Sequence, residues 1–225
     1  MSVQKRKYPR TFHLPWSEGQ ASDDKTLDWD DLEEMFADKD VVVTEKLDGE
    51  NTTIYSTGLT HARSVSSGAH PARTWVRALA ARIGPDLPEG WRLVGENVYA
   101  QHSIRYTHLP GYFILFGVID DENIALAWDD VEEWAELLEI PAAPVIWRGP
   151  WTRETVKRLA RFRPVTSAFG PVIEGYVVRD VGAFPMEDFS WHAAKYVRRG
   201  HVQTDDHWMY QEVIPNQLAP GTRQR

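Results

Sequence analysis

Residues 41–55 read Val41-Val42-Val43-Thr44-Glu45-Lys46-Leu47-Asp48-Gly49-Glu50-Asn51-Thr52-Thr53-Ile54-Tyr55. The β-branched and aromatic runs at 41–43 and 52–55 predict two strands, and Asp48-Gly49 between them supplies the turn chemistry that lets paired strands reverse. Lys46 then stands at a strand end with an acidic residue on either side. Read alone, a lysine in such a place is an ordinary solvated charge.

Working outward, Asp28 or Asp30 can cap a short helix with Leu32, Met35 and Phe36 on one face, which ends before the stretch begins. Residues 59–65 predict a strand, with Gly68 and Pro71 as breakers. Residues 71–83 predict a helix, because Trp75, Leu79 and Ile83 recur at four-residue spacing and Pro71 is tolerated in a first turn. Residues 91–100 and 112–120 read as buried strands joined by a polar, aromatic loop. Helices follow at 129–140 and 152–162, and strands at 172–179 and 193–198. Strands and helices without regular alternation indicate an α+β fold with antiparallel sheets. Residues 1–214 read as a single domain, and 215–225 as a tail with little to pack that frays.

The chain has 225 residues, 42% of them hydrophobic, and ten Trp, enough for a sizeable core. It contains no Cys, which excludes a disulfide framework and thiolate metal sites and accords with a reducing cytoplasm. No apolar run approaches membrane-spanning length, and the basic start at Lys5, Arg6 and Lys7 is not followed by the apolar core of a signal peptide. A soluble, cytoplasmic protein without membrane contact is expected. The net charge of −8 argues against coating nucleic acid by bulk electrostatics but leaves room for a local basic track.

Lys46-Leu47-Asp48-Gly49 has the form Lys-x-Asp-Gly and resembles the signature of the covalent nucleotidyltransferases, which include ATP-dependent DNA ligases, RNA ligases and capping enzymes. Four further stretches resemble motifs of that superfamily in its order. These are 93–99 around Glu96, 112–118 around Phe116, 173–178 around Glu174-Gly175, and 193–198 around Lys195. Asn51 and Arg63 match positions that point, within the superfamily, to the ATP-dependent RNA ligases. The other two classes normally continue into an OB-type domain, and only 27 residues follow Arg198 here. The family's second lysine near Lys195 is missing, since Ala193 and Val197 flank it, so the identity of the partner cation, Arg198 or another, stays open.

The resemblance implies an α+β nucleotidyltransferase domain of antiparallel sheets flanked by helices, an ATP-grasp-like ligase core. It implies ATP and Mg²⁺ or Mn²⁺ as cofactors, with Lys46 as nucleophile taking AMP, and RNA with 5′-phosphate and 3′-hydroxyl ends as partner. A homodimer or a partner protein is a further possibility, and the alternatives are a DNA-directed ligase or an end-binding module without turnover. Lys46, Asp48 and Lys195 are then catalytic, and Glu45, Lys46, Asn51, Arg63, Glu96, Phe116, Glu174 and Lys195 nucleotide-binding, with Glu174 on the metal.

Each role has a plain counterpart. A lysine must lose its proton to attack, and its reference pKa of ~10.4 opposes this unless positive charge or desolvation lowers it. Glu96 on a half-buried strand needs a partner, which a ribose hydroxyl would supply, as would Arg63 or Arg105. Phe116 competes with Tyr112 and Phe113 for the purine; strand parity puts Phe116 and Tyr112 on one face and Phe113 on the other. Gly175 after Glu174 marks a close backbone approach. His201, Asp205, Asp206 and His207 have the composition of a metal site but read as solvated polar residues. Arg153, Lys157 and Arg161 recur every four residues on one helix, and with Arg198 and the segment from Lys5 to Arg10 they form a candidate RNA track.

Overall fold

The computed structural model describes residues 4–21, 24–201 and 212–222. In chain order the elements are β1 (Phe12–His13), α1 (Trp29–Phe36), β2 (Asp40–Lys46), β3 (Glu50–Tyr55), β4 (Thr60–Ala62), α2 (Thr74–Ile83), β5 (Arg92–Asn97) and β6 (Phe113–Ile119). They continue with β7 (Ile124–Ala125), α3 (Trp128–Leu137), β8 (Val145–Pro150), α4 (Arg153–Arg161), β9 (Gly175–Asp180), β10 (Phe184–Pro185) and β11 (Ala193–Val197). Two sheets result, ordered β1-β11-β9-β2-β8 and β10-β7-β6-β5-β3-β4. Every pairing is antiparallel except β1 on β11, so the fold is α+β as expected. No helix among the described residues is long and apolar enough to cross a membrane.

The strands at 41–46 and 50–55 form but do not pair, contrary to the hairpin expectation. β2 lies between β8 and β9 in the first sheet, whereas β3 lies between β4 and β5 in the second. Residues 47–49 are a crossover from one sheet to the other. The reason is that both hydrogen-bonding edges of β2 are taken by other strands, and Asp48 is held elsewhere: its Oδ2 accepts from Ser103 N (2.9 Å), Ser103 Oγ (2.7 Å) and Ile104 N (2.8 Å). Gly49 is required because a Cβ there would lie 2.6 Å from the Asn97 carbonyl oxygen.

Alternation along the first sheet separates its faces. Val41, Val43, Tyr176, Val178, Ala194 and Tyr196 are buried with Leu32, Met35 and Phe36 of α1 and Leu159 of α4. Full burial of each large apolar side chain contributes about 1.5–3 kcal/mol, which fixes this face against the helices. Thr44, Lys46, Val177, Arg179, Ala193 and Lys195 border a cleft between the sheets. A larger core under the second sheet joins Ile54, Leu93, Phe113 and Leu115 to Val76, Leu79 and Ile83 of α2 and Trp128 and Val131 of α3.

Two further expectations are corrected. β8, to which no element was assigned, is the edge of the first sheet; its sequence is bounded by Pro144 and Pro150, which read as breakers but are tolerated at an edge. The segment from 215 does not fray over its described part. Asn216 is buried, donating from Nδ2 to Val98 O (2.9 Å) and accepting at Oδ1 from Tyr106 N (2.8 Å), and its own N–H reaches Tyr99 O (2.8 Å). A polar residue thus does what an apolar anchor would do, by satisfying the backbone of the 98–106 loop.

Candidate active site

The cleft has a volume of about 770 Å³, within the range of sites that enclose small ligands. Lys46, the last residue of β2, is opposite Gly175 in the β2–β9 register. Glu174 therefore arrives beside it, with Lys46 Nζ 2.6 Å from Glu174 Oε1. Close approach at Gly175 is required as the sequence indicated: a Cβ would lie 1.9 Å from the Tyr196 carbonyl oxygen. Glu174 Oε2 is buried without a hydrogen-bond partner. Burial pushes the Glu174 pKa up, against the opposing pull of Lys46 and His201. Burial by itself lowers the pKa of the Lys46 amine, but Glu174, Glu96 and Asp48 together outweigh it and the pKa is raised.

The residue that sequence reasoning set aside is His201. Its Nε2 lies 3.3 Å from Glu174 Oε1 and 3.9 Å from Asp48 Oδ1, and one ligand atom from each of the three residues falls within 4.8 Å of the others. No spacing signal announces this, because Asp48, Glu174 and His201 are far apart in sequence and meet only through the crossover and the β9–β11 pairing. Asp205, Asp206 and His207 lie outside the described residues.

On the second sheet, Asn51 is opposite Glu96, and both border the cleft. Glu96 Oε1 accepts from Gly49 N (3.2 Å). Its pKa is pushed up to about 8, chiefly by burial, with Lys46 opposing and Glu174 and Asp48 reinforcing. Asn51 Oδ1 is buried without a hydrogen-bond partner. Phe116 borders the cleft while Tyr112 and Phe113 are buried in the core. Tyr112, expected to share a face with Phe116, packs instead on Trp75 and Tyr99 (ring centroids 5.2 and 5.0 Å). The register shift in the β5–β6 pairing between Val94 and Gly95 breaks the alternation that parity assumed.

Lys195 is in the cleft, 3.6 Å from Asp24 Oδ1, and its pKa is lowered, first by burial and then by Lys46. Arg63 borders the same cleft. Glu45 also borders it, but both carboxylate oxygens are engaged, one by the Ser167 hydroxyl and the other by Ala168 N (2.8 Å), so its side chain fixes the 167–168 turn. Arg198 donates from Nε to Ile173 O (2.7 Å) and braces the approach to Glu174. Arg153, Lys157 and Arg161 are exposed on α4 and are not part of the cleft lining.

Three further cleft residues carried no recognisable signal. Tyr8 places its ring edge-on against Phe116 (centroids 5.7 Å) and Phe189 (5.0 Å), so the basic N-terminal segment runs along the cleft wall. Arg179 spans the sheets, donating to the carbonyls of Phe116 (3.5 Å) and Leu126. Arg73 forms a fork with Glu50, its Nε 2.7 Å from Glu50 Oε2.

Residues 39–197 match the sequence profile of a family described as RNA ligase. Among solved structures, an archaeal ATP-dependent RNA ligase is similar at TM-score 0.55 and 17% identity, covering 86% of this chain and 48% of that one. A Naegleria gruberi RNA ligase mutant with ATP and Mn is similar at TM-score 0.54 and 17% identity, covering 75% and 52%. The same ligase with PPi gives TM-score 0.50 and 19% identity, covering 73% and 51%. The chain thus spans about half the length of these ligases. No curated protein sequence matches it.

Proposed function

The chain belongs to the RNA ligase family, and on that premise we propose that its cleft joins RNA ends at the expense of ATP through a covalent lysine–AMP on Lys46. The observation that carries the reading is the Lys46–Glu174 contact of 2.6 Å, made in a cleft that Glu96, Phe116 and Lys195 also border. The neutral Lys46 amine attacks the α-phosphorus; a P–N bond forms, the bond to the bridging oxygen breaks, and pyrophosphate leaves. The 5′-phosphate of an RNA end then takes AMP from Lys46, and a 3′-hydroxyl displaces AMP as the phosphodiester forms.

The residues divide this work. Phe116 offers a ring to the purine, and Glu96 and Asn51 offer acceptors to the ribose and its surroundings. Lys195 and Arg63 neutralise the phosphates as charge moves onto the leaving group. Asp48, fastened by residues 103–104, keeps the crossover, and hence Lys46, in place. Glu174, Asp48 and His201 would hold Mg²⁺ or Mn²⁺, and the unpartnered Glu174 oxygen fits such an ion. A divalent cation held there would disfavour the protonated Lys46 amine, and its double charge would act more strongly than a single carboxylate at equal distance.

The test is incubation with ATP labelled at the α-phosphate and Mg²⁺ or Mn²⁺, then denaturing electrophoresis. The wild type should carry label, Lys46→Ala none, and a nicked 5′-phosphorylated RNA duplex should remove the label from the wild type. Label retained in Lys46→Ala would overturn the assignment of the nucleophile. A DNA duplex accepted faster than RNA would overturn the assignment of the substrate.

A further inference from the structure

We infer that His201 is a direct ligand of the divalent cation, and that with Asp48 and Glu174 it makes this site selective for Mn²⁺-like first-row ions over Mg²⁺. The inference rests on the ligase reading for the site's purpose, but the site can be tested without ATP or RNA.

The geometry supports coordination. Adjacent ligands about 2.1 Å from an octahedral ion are roughly 3 Å apart; one ligand atom each from Asp48, Glu174 and His201 lies within 4.8 Å of the others, and His201 Nε2 is 3.3 Å from Glu174 Oε1, the oxygen that also meets Lys46. The three side chains come from separate segments and each is fixed by something else. Asp48 has its Oδ2 occupied by three donors, which turns Oδ1 toward His201 at 3.9 Å. Glu174 has Oε1 held by Lys46, while Oε2, in a residue 3% exposed, has no hydrogen-bond partner. The His201 ring is 2% exposed, and its Nδ1 lies 3.4 Å from the Ser103 hydroxyl, leaving Nε2 toward the carboxylates. Outer contacts of this kind orient ligands and raise affinity.

The donor set decides selectivity. Mg²⁺ favours oxygen ligands and retained waters, whereas an imidazole nitrogen strengthens binding along the first-row series. A site of two carboxylates and one imidazole therefore gains more from Mn²⁺ or Co²⁺ than from Mg²⁺.

The full chain would be titrated with Mn²⁺ alone, followed by electron paramagnetic resonance, with Mg²⁺ as competitor. Wild-type protein should bind Mn²⁺ at least about tenfold more tightly than Mg²⁺, and the spin echo of bound Mn²⁺ should carry modulation from a coordinated imidazole nitrogen. His201→Ala should lose that modulation and weaken Mn²⁺ about tenfold or more while changing Mg²⁺ by less than about threefold. Absence of nitrogen modulation in the wild type overturns the proposal without reference to any variant. So does an equal loss of both ions, or of neither, in His201→Ala. Labelling of wild-type Lys46 by ATP, read separately, tests the ligase reading by itself.

Discussion

Glu174 Oε1 stands 2.6 Å from Lys46 Nζ and helps to raise the pKa of the amine, whose protonated form cannot attack phosphorus. Release of the Lys46 proton therefore depends on positive charge brought into the cleft. Replacing Glu174 by Gln should move the midpoint of Lys46 acetylation, followed by mass spectrometry across pH without metal or nucleotide, to lower pH. An unmoved midpoint would mean that Glu174 does not set the Lys46 proton. Adenylylation by the same variant should nevertheless fall, since on the proposed reading Glu174 is also a cation ligand.

Asp48 is expected to matter for folding as much as for chemistry. Asp48→Ala leaves the buried Ile104 N–H without its acceptor, while the N–H and hydroxyl of the exposed Ser103 turn to water. Each buried donor left unpaired costs about 1–3 kcal/mol. Urea unfolding should show a loss of about 1–3 kcal/mol; a loss below about 0.5 kcal/mol would mean that solvent replaces the carboxylate at Ile104 as well.

Glu96 gives the fold a pH dependence of defined sign. Its folded pKa of about 8 lies above the ordinary value of 4.5, so between those values the folded state binds the proton and the unfolded state does not. Stability contributed by protonated Glu96 is present below pH 4.5 and is lost as pH rises through about 8. The melting temperature of the wild type should therefore fall relative to Glu96→Gln across that window. Parallel curves would place a compensating cation beside the carboxylate.

Asn216→Ala should destabilise the chain by about 2 kcal/mol, because it unpairs Tyr106 N and the Val98 carbonyl together. For a chain of this size that corresponds to roughly 4–8 °C in melting temperature. A shift under 1–2 °C, about experimental scatter, would restore the fraying tail.

What the sequence disclosed and what it hid differ in physical kind. Helix α1 was legible because Asp28 caps it and Leu32, Met35 and Phe36 face one way. Phe116, Glu96 and Lys195 were legible as members of an ordered motif series, and all three border the cleft. The pairing of β2 was not legible, because a three-residue crossover and a two-residue hairpin share the Asp-Gly chemistry, and the difference lies in which distant strands claim the edges. His201 was hidden for the same reason: its partners Asp48 and Glu174 are brought to it by tertiary pairing. Tyr8 sat in a run of basic residues whose charge suggested phosphate, whereas its ring packs against Phe116. Asn216 was misjudged because fraying was argued from a lack of apolar residues, and hydrogen bonds to buried backbone anchor it instead.

The crossover at residues 47–49 divides the cleft like the jaws of a vice. Phe116, Glu96 and Asn51 stand on one jaw, whereas Lys46, Glu174 and Lys195 stand on the other. An adenylate bonded to Lys46 and seated by its base on Phe116 would be a rivet through both jaws. Such an adduct would be a temporary cross-link as well as the proposed chemical intermediate. Opening the vice would have to pull the base from its seat or wait for the P–N bond to break, so the stiffness of the protein and the stage of its reaction become a single variable.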